Sequence, residues 1–335
     1  MVHSVRFVPD TFLPAIRWGV WSDIYQEISG NPILPCVTVH SPHNALTGNN
    51  SVIIPGKTSI VSCNRIYELD MEDCPVVLVH GWKSHPGIWK KLIPRLSEED
   101  ITFWNFDHVA MDDTSLEEIA RGLQIYINSM REETGYTGDL DIVCHSMGTC
   151  IARYLLEVID GTEKREKVRQ LIGIGPPNNG SAMAELFNHP DHGQKVINTL
   201  TGVFVPKGYI PAQDVIVQEF RPGSKTMKTL SRAGLRKDIT YRIIISTNRT
   251  QTPALFPQFK GQTPEILPDG TWRLTWDGDG IVTYSDSHLP GAEIVILPRD
   301  MKNFNQHPGH YSHINMPRNS EAVEQVIRFL KNHSD

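Results

Sequence analysis

From residue 75 onward, short apolar runs of strand length alternate with longer helix-patterned stretches, and this alternation limits the chain to very few architectures. The runs cover 75–79, 101–106, 140–144, 170–174, 240–246 and 292–297. Helical periodicity appears around 88–96, 116–130, 147–159 and 320–330. In the last stretch Ala322, Val323, Val326, Ile327 and Leu330 share one face, with charges opposite. Uninterrupted apolar strands suit burial on both faces. The order strand, helix, strand therefore predicts an α/β fold with a mostly parallel sheet covered by helices on both sides.

The rhythm breaks twice. Residues 181–237 mix Met183, Leu186, Phe187, Ile197, Leu200, Val203, Phe204, Val205 and Ile210 with Pro and Gly. We expect an insertion over the top of the sheet, a cap or lid. Residues 252–276 form a second insertion. Pro268-Asp269-Gly270 marks a turn there, so a hairpin is expected. The expected layout is an N-terminal extension with first strands over 1–74 and a catalytic domain over 75–335 holding both insertions. Within the extension, 33–39 and 58–66 read as added strands. Residues 12–28 read as an amphipathic helix docked on the core, with a membrane-surface or dimer role as the alternative.

Composition removes other classes. At 335 residues, with 39% hydrophobic and 21% charged, the chain is ordinary globular protein whose length fits one large domain with insertions as well as two domains. A net charge of -6 without long like-charge runs argues against a nucleic-acid partner. No apolar run is long enough to span a membrane. The first twenty residues carry Arg6, Asp10 and Arg17, which does not read as a secretory signal. The five cysteines lack metal-ligand spacing, and Cys144 and Cys150 read as small buried hydrophobes. A reduced, cytoplasmic protein is the expectation. Oligomeric state is not readable.

The segment with chemistry in it is Leu140-Asp141-Ile142-Val143-Cys144-His145-Ser146-Met147-Gly148-Thr149-Cys150. An apolar strand ends, X-Ser-X-Gly follows, and a helix begins at once. This is the pattern of a nucleophile elbow. A serine on a strained strand-to-helix turn exposes its oxygen while the helix N-terminus faces the developing anion. Small residues two before and two after the serine let the turn pack against neighbouring backbone. Cys144 stands where the motif usually has its first Gly, and its Cβ predicts a slightly widened turn. An ordinary turn rich in Ser and Gly is the bland alternative.

Pro75-Val76-Val77-Leu78-Val79-His80-Gly81-Trp82 is a second apolar strand, ending in His-Gly. With it, the chain resembles the α/β-hydrolase superfamily, in its bacterial and archaeal lipase and esterase branch. The resemblance covers roughly 75–330 and implies an α/β-hydrolase fold. It also implies an oxyanion hole built from the backbone N–H groups of Trp82 and Met147. Two further segments are similar to this branch. Gly175-Pro176-Pro177-Asn178-Asn179-Gly180-Ser181 leads into the lid, and Arg221-Pro222-Gly223-Ser224 precedes the strand at Thr240.

In this fold the chain order is Ser, acid, His. Trp276-Asp277-Gly278-Asp279-Gly280-Ile281-Val282 resembles the family's acid turn and makes Asp279 the candidate acid, with Asp277 as the alternative. Asn248 occupies a place where many relatives carry their acid, but an amide cannot stabilise an imidazolium as a carboxylate does. His313-Ile314-Asn315-Met316-Pro317 resembles the family's ending before its last helix, so His313 is the candidate base and His310 the alternative. The spacing of His307, His310 and His313 also permits a zinc site. Related lipases sometimes hold calcium through a carboxylate where this chain has Asn315, and no metal or other cofactor is expected.

The resemblance implies a carboxylic ester hydrolase, esterase or lipase, acting on a small-molecule or lipid ester through Ser146, His313 and Asp279. Phe187, Leu200 and Phe204 are the expected acyl-binding residues. An acyltransferase, lactonase or peptidase uses the same constellation, because fold does not fix substrate. A non-catalytic binding module that kept the fold is the alternative from a different class.

Overall fold

The protein is described here by a computed structural model covering residues 74–332. The strands expected at 33–39 and 58–66, the helix over 12–28, and Cys36 and Cys63 lie outside the described residues.

One sheet organises the rest. Its strands are β1 (Val76–Val79), β2 (Phe103–Phe106), β3 (Leu140–His145), β4 (Val168–Ile174), β5 (Thr240–Ser246) and, after a separate hairpin, β8 (Glu293–Leu297). They lie in the order β2-β1-β3-β4-β5-β8, and every pairing is parallel. The side chains of β1 and β3 are all buried, as strands covered on both faces must be. The hairpin pairs β6 (Thr263–Ile266) with β7 (Trp272–Thr275) in antiparallel register, around the predicted Asp269-Gly270 turn.

The helices begin with α1 (Leu92–Glu98), α2 (Leu116–Thr134) and α3 (Met147–Arg153). The sequence predicts one helix over 88–96, but the chain forms a 3₁₀ turn at Pro86–Trp89 and then α1. Pro94 accounts for the difference. It has no N–H, so it fits the first turn of a helix, where N–H groups have no intrahelical partner, but not its interior. A capping box starts α2: Ser115 Oγ accepts from Glu118 N, and Glu118 Oε2 accepts from Ser115 N. Beyond Arg153, α3 widens into a π-helical stretch, Tyr154–Asp160, where buried Arg153 pairs with buried Glu157.

Between β4 and β5 the chain forms α4 (Ala182–Phe187), α5 (Gly193–Leu200), α6 (Val215–Glu219) and α7 (Lys225–Ala233). After the hairpin come α8 (Tyr284–Ser287), α9 (Met301–Gln306) and α10 (Ser320–Lys331). The apolar face of α10 is buried, including Ala322, Val323, Val326, Ile327 and Leu330.

At the N-terminal ends of the strands a polar chain ties the sheet to α10. Gln170 Nε2 donates to Asp141 Oδ2 (2.7 Å), while Arg242 Nη1 donates to Gln170 Oε1 (2.6 Å) and Phe329 O (2.7 Å). Buried polar atoms left without partners would be costly, so this network supports stability at the end of the sheet away from the candidate site.

Candidate active site

The site lies at the C-terminal ends of β1, β3, β4 and β5, where an open parallel sheet leaves a crevice. Ser146 follows β3 directly, with φ 53° and ψ -127°. A non-glycine residue with positive φ is strained, and the surroundings must over-determine it. Here the turn is locked by neighbouring backbone: Ser146 N donates to Ile174 O (2.9 Å), at the end of β4. A Cβ on Gly148 would lie 2.5 Å from the carbonyl oxygens of both Val79 and His80. No side chain fits there, so α3 can leave β3 this sharply only with glycine. Cys144 is fully buried and pairs with Gly173 on β4, where a Cβ would meet Thr149 at 2.8 Å.

The structure brings Ser146, His313 and Asp279 into one hydrogen-bonded row. Ser146 Oγ is 2.9 Å from His313 Nε2, and His313 Nδ1 is 2.8 Å from Asp279 Oδ2. Asp279 Oδ1 already accepts from Ile281 N (3.0 Å) and Val282 N (2.8 Å). A carboxylate held by two N–H donors accepts at its other oxygen as well, so the proton of the imidazole sits on Nδ1. That leaves a lone pair on Nε2 to accept from the serine hydroxyl. Asp279 and His313 are both buried. Asp277 is exposed, its carbonyl accepting from Tyr284 N. His310 and His307 are exposed and stack on each other at 5.1 Å, so the three histidines do not converge on one point. Among the described residues, no group of three His, Cys, Asp or Glu side chains is placed to hold a metal ion.

Buried histidines support this row, and their positions in the sequence gave no hint of these roles. His145 Nε2 is 3.0 Å from His313 O. A carbonyl only accepts, so His145 donates, and the turn that bears the serine is pinned to the loop that bears His313. Burial drives the His145 pKa far down, so it adds no cation beside His313. His80 and His108 stack at 3.7 Å at the ends of β1 and β2. His80 Nδ1 donates to Gly81 O (3.0 Å), His108 N donates to His80 Nε2 (3.3 Å), and His108 Nε2 donates to His80 O (3.0 Å). Burial pushes the His108 pKa down to about 3, so the ring stays neutral. The pair fixes the exit of β1, from which Gly81 and Trp82 emerge.

Trp82 and Met147 flank Ser146 in the wall of a cavity of about 270 Å³. Met147 is the first residue of α3, so its N–H has no partner within the helix. The Trp82 indole donates to Asp214 Oδ2 (3.1 Å) and packs near Phe187, Phe204 and Tyr209. Through it, residues 181–237 are tied to the wall of the cavity that Ser146 also lines. Met183, Phe187, Phe204, Ile216, Val217 and Phe220 form the apolar wall on that side. Leu200 corrects an expectation: it is fully buried on the inner face of α5 and does not line the cavity. The amphipathic pattern of α5 turns that residue into packing rather than surface.

Asn248, at the end of β5, is buried and spent on structure. Its Nδ2 donates to Thr252 O (2.8 Å) and Gly261 O (2.7 Å), and its Oδ1 accepts from Thr252 N (3.1 Å). Asn315 Nδ2 donates to Gly309 O (2.9 Å), within the loop that carries His313. Ser181 and Ser224, in the segments read as leading into the lid and preceding the strand at Thr240, cap α4 and α7.

A family known only as a domain of unknown function (DUF7379) matches residues 70–231. No curated protein matches the sequence. Among solved structures, the mature lipase BlEst2 of Bacillus licheniformis is 15% identical, with a TM-score of 0.56, over 78% of this chain and 93% of that one. The metagenomic carboxyl esterase MGS0156 is 14% identical, with a TM-score of 0.53, over 78% of this chain and 76% of that one. Phospholipase PlaB of Legionella pneumophila is 15% identical, with a TM-score of 0.51, over 77% of this chain and 63% of that one. At such identities the likeness speaks for architecture, and with the parallel sheet described above it shows that this chain has the α/β-hydrolase fold.

Proposed function

We propose that this protein is a serine hydrolase that cleaves carboxylic esters. The observation that supports this most is the row Ser146 Oγ, His313 Nε2, His313 Nδ1, Asp279 Oδ2, with steps of 2.9 and 2.8 Å, opening into an apolar cavity. In the reaction, His313 Nε2 takes the hydroxyl proton as Ser146 Oγ attacks the ester carbonyl carbon. The carbonyl π electrons move to the oxygen, which becomes the oxyanion. The N–H groups of Trp82 and Met147 are the donors for that oxygen, and losing one such donor typically costs on the order of 10²–10³ in turnover. The C–O bond to the alcohol then breaks, and His313 Nε2–H protonates the leaving alkoxide. Water, deprotonated by His313, attacks the acyl-Ser146 carbonyl; the C–Oγ bond then breaks as His313 Nε2–H returns the proton to Ser146 Oγ, and the acid leaves. Asp279 holds the Nδ1–H tautomer and stabilises the imidazolium in both halves.

Residues 181–237 act in this reading as a lid whose apolar wall receives the acyl group, with Phe187 and Phe204 in contact. A cavity of about 270 Å³ is at the small end of ligand sites, roughly 300–1,000 Å³. That favours compact esters. The catalytic domain is taken to run from residue 75, with the lid and the 252–276 hairpin as its insertions.

The test is covalent labelling with a fluorophosphonate, followed by peptide mapping, on the wild type and on Ser146→Ala. Labelling at Ser146 and loss of both labelling and ester hydrolysis in the variant are expected. A wild type that neither labels nor hydrolyses p-nitrophenyl butanoate would mark the protein as a binding module. Labelling that persists in the variant would place the nucleophile elsewhere.

A further inference from the structure

Part of the cavity lining differs in chemistry from the apolar residues that 181–237 supplies. It comes from the loop after β1, with Lys83, Ser84 and His85, and from the loop after His313, with Ile314 and Arg318. Two permanent cations therefore line the cavity, while none of its lining residues is Asp or Glu. The nearby carboxylates are turned elsewhere: Asp279 is bonded to His313, and Asp214 to the Trp82 indole.

The two cations differ. Lys83 Nζ lies 3.5 Å from Asp112 and 3.8 Å from Asp113, so its charge is balanced within the protein. Arg318 has no carboxylate within ion-pair distance among the described residues, and its Nε is buried without a hydrogen-bond partner. Only its backbone is fixed, by donation to Asn315 O (2.8 Å). Its charge reaches its neighbours: His85 is held below its usual range first by burial, and the Arg318 charge adds to this. A cation lining a cavity without a carboxylate to balance it is favoured by an anionic ligand there.

Resting on the ester-hydrolase reading, we propose that the substrate carries an anionic group, a carboxylate or phosphate, on its alcohol half, and that Arg318 binds it. The placement follows from the chemistry. The leaving alkoxide departs past His313 Nε2, so the alcohol half lies on the side of the loop that carries both His313 and Arg318. The acyl half lies along the apolar lid wall. A planar guanidinium suits either oxyanion through paired N–H donors.

The experiment compares matched esters with one acyl chain. 1-Butanoylglycerol 3-phosphate is set against 1-butanoylglycerol, and 3-(butanoyloxy)propanoate against propyl butanoate. The wild type should favour at least one charged ester over its neutral partner by about tenfold in kcat/KM, the low end for a hydrogen bond to a charged group. The two pairs separate phosphate from carboxylate recognition. In Arg318→Gln the charged-to-neutral ratio should collapse, chiefly through KM, while Arg318→Lys keeps part of it. For the wild type, KM of the favoured charged ester should rise with salt and that of its neutral partner should not; this reading holds even where a variant folds poorly. Equal kcat/KM within both pairs overturns the proposal, as does a preference that survives in a folded Arg318→Gln. Absence of hydrolysis of all four esters, together with absence of phosphonate labelling, would instead bring down the ester-hydrolase reading and the proposal with it. Labelling with no charged-ester preference brings down the proposal alone.

Discussion

Replacing Asp279 by Asn removes one function of the carboxylate while leaving its structural contacts. The N–H groups of Ile281 and Val282 lie 3.0 and 2.8 Å from Oδ1, and an amide oxygen still accepts from both. The amide nitrogen then takes the place of Oδ2, 2.8 Å from His313 Nδ1. An NH₂ group only donates, so Nδ1 must become the acceptor and the imidazole proton moves to Nε2. That nitrogen then has no lone pair for the Ser146 proton, although its distance to Oγ is unchanged. The loss in turnover should be on the order of 10⁴, the effect of the same change in a serine protease triad. At about 1.4 kcal/mol per tenfold, that is roughly 5 kcal/mol of transition-state stabilisation. Stability should change far less, by roughly 1 kcal/mol, because both backbone hydrogen bonds survive. The assay is kcat on p-nitrophenyl butanoate beside thermal unfolding, with Asp277→Asn as the comparison. Asp277 is exposed and its change should leave kcat within about twofold. If Asp279→Asn keeps more than about a tenth of wild-type turnover, or Asp277→Asn is equally crippled, the tautomer argument fails.

Three other outcomes are expected. His313→Ala should abolish ester hydrolysis while His310→Ala, exposed and stacked on His307, keeps most of it; kcat for the two variants checks this, and the reverse ranking reassigns the base. Phe187→Ala or Phe204→Ala should change kcat/KM unequally across a chain-length series of esters, by about 0.8 kcal/mol for each acyl CH₂ that loses its contact; equal losses at every length would make these residues structural only. Asp286, buried beneath the start of the insertion, accepts from Ala182 N (3.1 Å), and burial raises its carboxyl pKa to about 7. The native state thus favours the protonated form, a contribution to stability that is full below about pH 4 and lost as pH rises to about 7. Asp286→Asn cannot ionise, so its Tm relative to wild type should be higher at pH 8 than at pH 4.5, and a pH-independent difference refutes this.

Much of the fold was legible before the structure. The strand at 240–246 appears with the expected bounds, and the other five differ by one or two residues at an end. Their apolar runs are continuous because both faces are covered, a signal contained within five to seven neighbouring residues. Helix starts at 116, 147 and 320 were legible from apolar periodicity, and the split at 86–98 was not, because Pro94 counts only once the first turn is placed. The segment from Leu140 to Cys150 also announced its turn, since strand, Ser-x-Gly and helix are contiguous. Tertiary structure decided the rest. Ser146 meets a histidine 167 residues away, and Asp279, set apart from Asp277 in the sequence only by resemblance to an acid turn, is the carboxylate buried against it. The same holds for Leu200, whose apolar side chain suits a cavity wall or a packed helix face equally well until its neighbours are in place. It holds for Arg318, an ordinary cation in the sequence that becomes unusual only beside a cavity lined without carboxylates. Periodicity and turn chemistry act between residues a few bonds apart, so the amino-acid order alone sets them. Burial, tautomer and the pairing of charges depend on which distant segments the sheet order brings together, and only the folded chain fixes those.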